Sequence, residues 1–230
     1  MTKATKQTNL SEYEPKPETH LNKNSKMPCR SFDLQAGETC PGSFNSDGSV
    51  SAACMGCYAK GGFFQMPTVK NARADNKLAW QKIEWVDEMC EELDNDRYFR
   101  FFASGDGYSI KLWEKIYEIA SRTIHCNFWI PTRMYKFESF RPIIDKVASL
   151  PNVVVRFSSD SVTGEYIEGL HGSTIIEKID DLKPGMTLCQ SVLNDGKCGK
   201  CRACWSKNVQ VIAYVAHGQG IKRVYKTLKK

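Results

Sequence analysis

Four consecutive stretches decide the fold: Tyr98-Phe-Arg-Phe-Phe-Ala103, Ser104-Gly-Asp-Gly107, Ile110-Lys-Leu-Trp-Glu-Lys-Ile-Tyr-Glu-Ile-Ala-Ser121 and His125-Cys-Asn-Phe-Trp-Ile130. The first is an aromatic run short enough to be a strand, and the second is a glycine-broken polar loop. In the third, Leu112, Trp113, Ile116, Ile119 and Ala120 recur at steps of three and four, which predicts a helix with one apolar side. The fourth is a second strand. The pattern repeats downstream, with a helix over Phe140 to Ser149 and a third strand at Val153-Val-Val-Arg-Phe157. Strands joined through helices need crossover connections, which are right-handed and produce a parallel sheet. In such a sheet the loops after the strands gather at one edge, where ligands sit. Those loops are Ser104 to Tyr108, Pro131 to Met134 and Ser158 to Ser161.

Moving upstream, apolar residues from Thr68 to Leu93 (Leu78, Trp80, Ile83, Trp85, Val86, Met89, Leu93) predict one long helix, entered after Pro67. Before it, residues 24 to 62 are rich in turn formers and offer little regular structure. Moving downstream, glycines break residues 162 to 188 into a stretch without a clear assignment, and Val209 to Val215 predicts a last strand. Three segments are expected: a flexible N-terminal arm over 1–23, an α/β domain over 24–188, and a cysteine-rich module with the last strand and a basic tail over 189–230.

Ten cysteines stand in 230 residues, and seven of them fall into two groups. Cys198, Cys201 and Cys204 follow C-x2-C-x2-C spacing, with Cys189 nine positions before the first. Thiolates at that spacing turn inward from one tight loop, as the ligands of a cubane iron–sulfur cluster do. Zinc also takes C-x2-C, usually as two separated pairs, and remains the alternative. The other group is Cys40, Cys54 and Cys57, with Cys29 upstream as a candidate fourth ligand. Three thiolates on a four-iron cluster leave one iron open to a small molecule. One cluster shared by both groups is a further arrangement. Cys126 and Cys90 read as small core hydrophobes. The expected class is therefore α/β: a partial (β/α) barrel-like parallel sheet, with a cysteine-rich N-terminal loop region and a C-terminal cluster-binding module.

Composition limits the alternatives. The first residues carry no apolar signal core, so a reduced, cytoplasmic setting is expected rather than a disulfide scaffold. No apolar run approaches the roughly 20 residues of a membrane span. The net charge of +6 and the pI near 8.7 fall short of a dedicated DNA binder, although Ile221 to Lys230 hold five basic residues and no acid.

The loop Cys54-x2-Cys57-Tyr58-Ala59, with Cys40 upstream, resembles the cluster loop of phage-type radical S-adenosylmethionine proteins. It departs from their common C-x3-C-x2-C pattern by the thirteen residues between Cys40 and Cys54. A longer order of motifs is similar to a phage family called gene product 88. It runs from Asn24-Ser-Lys-Met27 through Cys54-x2-Cys57-Tyr58, Ser104-Gly-Asp106, and Phe128-Trp129 with Thr132-Arg133. It ends with Cys198-x2-Cys201-x2-Cys204-Trp205 and His217. The likeness spans about residues 24 to 218. It implies one or two 4Fe-4S clusters, with S-adenosylmethionine as a small-molecule ligand at the open iron. Ser104, Gly105 and Asp106 would then receive the methionine amino group, and Arg133 and Arg156 would clamp a carboxylate. The second cluster would be auxiliary, in the host cytoplasm and away from any membrane. A reading from another class is a non-enzymatic metalloprotein, iron–sulfur or zinc, that binds nucleic acid or a host factor as a phage accessory protein.

Overall fold

The computed structural model describes residues 13–229. Eight strands form one sheet: β1 (Leu21–Lys23), β2 (Arg30–Phe32), β3 (Tyr98–Phe101), β4 (Asn127–Thr132), β5 (Val153–Ser158), β6 (Gly172–Ile176), β7 (Met186–Leu188) and β8 (Val211–Val215). Their order is β1-β2-β3-β4-β5-β6-β8-β7, so the sheet is open, with β1 and β7 as its edges. Only the β1–β2 pair is antiparallel. From β2 to β6 the strands lie side by side in chain order, each crossover stepping the same way.

Same-handed steps put the crossover helices on one face. These are α2 (Pro67–Ala79), α3 (Trp85–Glu92), α4 (Ile110–Arg122) and α5 (Arg141–Ala148); α1 (Ala52–Met55) and α6 (Gln219–Leu228) lie elsewhere. Strand alternation sends Phe32, Phe99, Phe101, Phe128, Ile130, Val153, Val155 and Phe157 to the helix side. There they pack with Trp85, Met89, Leu112, Trp113, Ile116, Ile144 and Val147, and Phe101 stacks on Phe128 at 5.9 Å. The opposite, inner face carries Ser31, Arg100, Trp129 and Arg156, a polar and aromatic surface unlike an ordinary second core.

The long helix expected over residues 68 to 93 is two helices, α2 and α3, separated by a turn. The Lys115 ammonium on α4 takes the carbonyls of Trp80 and Lys82. A side chain from another helix thus satisfies the end of α2. The apolar periodicity ran across the break because it counted Leu78 and Ile83, both of which face solvent.

Of the arm read over residues 1–23, residues 1–12 lie outside the described residues. The remainder is docked on α2. Asp75 accepts from the Tyr13 hydroxyl and the Lys16 amide and faces His20 Nε2, while Asn76 holds the His20 backbone. β1 then adds an antiparallel edge to β2.

β3 stops two residues short of the expected Ala103. Phe102 has φ +59°, a left-handed conformation that costs a bulky residue about 1–2 kcal/mol. The turn lets Ser104 cross to the chain beyond β2: the Leu34 amide donates to the Ser104 carbonyl, and the Ser104 hydroxyl donates to the Leu34 carbonyl. Gly105 follows at φ +76°, where an added Cβ would stand 2.6 Å from Leu34 Cβ and Thr39 Oγ1. Only glycine fits so close a crossing.

Candidate functional site

Because β2 to β6 are parallel, the loops after them share one edge of the sheet. The segment after β2 is the longest, running from Asp33 to Met66, and it lies across the other loops. Its contacts are specific. The Lys136 ammonium reaches the carbonyls of Gly42 and Phe44, the Ala53 amide donates to the Asp160 carbonyl at 3.0 Å, and the Tyr58 hydroxyl donates to the Ala103 carbonyl at 2.6 Å. Gly42 touches Arg133 so closely that a Cβ would meet its carbonyl at 2.6 Å.

This segment brings Cys40, Cys54 and Cys57 into one neighbourhood. Burial pushes the Cys40 thiol up to about 12, and Asp106, Cys57 and Cys54 act in the same direction. Cys54 is buried, within electrostatic range of Arg133 and Tyr135. Cys29 does not join them. It sits before β2, at the other end of the strand, in a cluster with Trp129 and Trp205.

Asp106 is buried and already engaged. It accepts from the Gly107 amide, the Thr132 hydroxyl and the Arg133 amide at 2.7, 2.7 and 2.8 Å. The carboxylate fastens the loop after β3 to the loop after β4. Desolvation raises its pKa, and those three bonds pull it back. Arg133 in turn donates to Asp160 at 3.0 Å and to the Ser159 carbonyl at 2.6 Å, tying in the loop after β5. Ser104, Gly105, Asp106 and Arg133 therefore stand together at one edge beside the first cysteine group, with their polar groups spent largely on the neighbouring loops.

Arg156 has another surrounding. Its side chain is fully buried on the inner face, where the guanidinium donates to the carbonyls of Cys204, Ala203, Ser206 and Val209, with longer contacts to Gly172 and Gln210. The fork is matched by backbone carbonyls, so it fixes the cysteine loop to the sheet.

That loop, residues 189 to 210, leaves β7 at the same edge and returns along the inner face to the start of β8. Trp205 anchors it, donating its indole N–H to the Phe99 carbonyl at 2.8 Å and packing on Trp129 at 5.2 Å. The Cys198 amide bonds the Lys26 carbonyl, and the Cys189 amide bonds the Ala213 carbonyl. Arg202 holds the carbonyls of Gly199 and Cys201. Cys189, Cys198, Cys201 and Cys204 all line one small pocket, with Ala203, Trp205 and Ile212 among its walls. The pocket's volume is about 20 Å³, room for roughly one water-sized sphere. Burial raises Cys204 to about 11 and raises Cys198 as well, with the neighbouring Cys189 and Cys201 adding to the latter.

The donor set suits a thiophilic centre: four thiols and no carboxylate or imidazole line the pocket. A single zinc would require sulfurs about 2.3 Å from the ion. Among the described residues no three His, Cys, Asp or Glu side chains are grouped to hold one ion as they stand. The pocket fits a metal group by the chemistry of its donors, and the thiols must rearrange to ligate one.

Sequence reasoning missed Arg100 and Tyr214. Arg100 lies over the Trp129 ring at 4.0 Å, within electrostatic range of Tyr58, Tyr214, Asp33 and Cys204. Tyr214 on β8 places its hydroxyl 3.5 Å from Cys204 Sγ. Both lie at strand positions where alternation alone separates helix side from inner face. Recognising that the inner face is occupied required knowing where the cysteine loop lies.

Over residues 2–223 the chain matches the family described as gene product 88. No curated protein and no solved structure matches it. No helix among the described residues is long and apolar enough to cross a membrane.

Proposed function

This chain belongs to the gene product 88 family, a phage gene product family, and from that premise we propose that it is an iron–sulfur protein. Cys189, Cys198, Cys201 and Cys204 would hold a closed four-iron cluster on the inner face of the sheet. One observation carries the reading: all four thiols line a single pocket on a loop that Arg156 and Trp205 pin to the sheet. A closed cluster supplies electron transfer or structural pinning, since no iron is left for a ligand.

Cys40, Cys54 and Cys57 would hold a second, three-thiolate centre at the ligand-binding edge, with S-adenosylmethionine as the ligand class. Two sites, rather than one shared cluster, are supported by the neighbours of each thiol. Cys57 and Cys54 act on Cys40, whereas Cys189 and Cys201 act on Cys198. The loops carrying Asp106 and Arg133 position this centre; their engaged side chains argue against direct contact with a ligand ammonium or carboxylate. The test of the edge site is release of 5′-deoxyadenosine from S-adenosylmethionine by the reduced protein, abolished by Cys54→Ser and Cys57→Ser. Without that release the edge centre is structural.

Zinc is the second reading for the inner-face pocket, favoured by the pocket's small volume and its four-cysteine donor set. The protein would then be an accessory protein in which metal-binding free energy acts as folding energy. Cys201→Ser separates the two. Under the iron–sulfur reading it lowers broad visible absorption of anaerobically prepared protein, and under the zinc reading it lowers zinc content in colourless protein.

A further inference from the structure

Two segments far apart in the chain build one surface beside the edge cysteines. The first, Ser51 to Arg73, contains no Asp or Glu; neither does the second, Ala216 to Lys229. They meet where α6 starts. A Cβ on Gly56 would stand 2.8 Å from Ile221 Cα, and one on Gly220 would stand 2.9 Å from the Gly56 carbonyl oxygen. Two glycines thus let α6 lie directly against the cysteine loop. Val224 and Tyr225 complete the contact with Ala53 and Val162, and the Tyr225 hydroxyl bonds the Val162 carbonyl.

The combined surface is basic, and large side chains project from it. Phe63 is 82% exposed on the Gly61-Gly62 turn, with Tyr58, Met55 and Met66 about half exposed around it. Among the described residues Lys229 pairs with Glu177, while Lys60, Lys70, Lys222, Arg223 and Lys226 are in no ion pair. Lys222 and Lys226 are one turn apart on the exposed side of α6.

We propose that this surface binds single-stranded nucleic acid, the lysines tracking phosphates and Phe63 and Tyr58 stacking on bases. A face built from two acid-free segments, with Glu177 at its margin beside Lys229, complements a polyanion, and aromatic tips among lysines match the stacking-plus-charge mode of single-strand binders. An anionic membrane is the competing partner. The helix argues against it, because an interfacial helix inserts its apolar side, and that side of α6 is buried against α1 and Val162. The proposal is independent of which metal the cysteines hold.

The test uses the full chain, a fluorescent oligo-deoxythymidine and anisotropy titrations at several salt concentrations. The Lys222→Glu/Lys226→Glu double variant should weaken binding about tenfold or more and reduce the log–log salt slope by about 1.4, two phosphates at roughly 0.7 each. Phe63→Ala should weaken binding at least about fivefold with little change in slope. Lys23→Glu/Arg97→Glu, with the same charge change at the opposite edge of the sheet, should leave both unchanged. Equal losses in that control would overturn the proposal, because net charge rather than this face would be responsible. So would absence of binding at low salt, or capture by phosphatidylserine vesicles without capture by the oligonucleotide. Melting temperatures of all variants, expected to match the parent, exclude unfolding as the cause.

Discussion

Arg156 reads differently in the sequence and in the structure, although its chemistry is the same in both. A guanidinium fork at the end of an aromatic strand suggested a clamp for a ligand carboxylate; here the fork closes on backbone carbonyls 47 to 53 positions downstream. No local pattern reveals acceptors so distant. Arg156→Met should leave several buried carbonyls unmatched and cost on the order of 3 kcal/mol. Arg156→Lys, with fewer and differently directed donors, should recover less than half of that in urea unfolding; near-parental midpoints for both would refute the assignment. Asp75 offers a second test at this scale. Burial opposes its charge, yet bonds from Tyr13, the Lys16 amide and His20 hold its carboxyl below the usual 3.8. A depressed folded pKa contributes stability above the unfolded value, lost as pH falls through the folded one. The stability gap between the parent and Asp75→Asn should therefore be largest at pH 5 to 7 and shrink below about pH 3.8. A gap independent of pH would show that Asp75 acts by packing alone.

At the scale of elements, strands and helices with strong periodicity were legible. β3, β4, β5 and β8 start or end within two residues of the expected bounds, and α4 and α5 within one. The elements that escaped are short or atypical. β2 is three residues within a turn-rich cysteine segment, and β6 begins Gly-Ser-Thr, so neither shows an apolar alternation. The break between α2 and α3 depends on Lys115, which belongs to another helix. Glycine chemistry gives a prediction here. Gly105→Ala combines a left-handed backbone with contacts of 2.6 Å and should cost about 2 kcal/mol or more, whereas Gly61→Ala meets open space and should cost under about 0.5 kcal/mol. Gly56→Ala should fall between them and loosen α6, seen as faster amide exchange over residues 219 to 228. Equal costs at 105 and 61 would contradict the close crossing between the loop after β3 and the segment after β2.

For the whole molecule, the sequence reading gave a parallel α/β sheet with a loop-bearing edge. The structure extends this to an open sheet of eight strands, with seven of them in one direction. Two cysteine groups were legible from spacing alone, because tight loops are local. Their relation was not: Cys29 lies with the inner-face aromatics, and the second loop runs along a sheet face that no periodicity announces. The two proposed sites therefore divide between an edge and a face, joined by the strands that carry Arg100, Trp129 and Arg156. The iron–sulfur cluster proposed on Cys189, Cys198, Cys201 and Cys204 can be measured directly. Its most direct test is iron, sulfide and zinc analysis of anaerobically purified protein beside the Cys198→Ser/Cys201→Ser variant. An iron–sulfur cluster there gives brown protein with iron and acid-labile sulfide in near-equal amounts, about four of each lost in the variant. Colourless protein with one zinc per chain, absent from the variant, would contradict it.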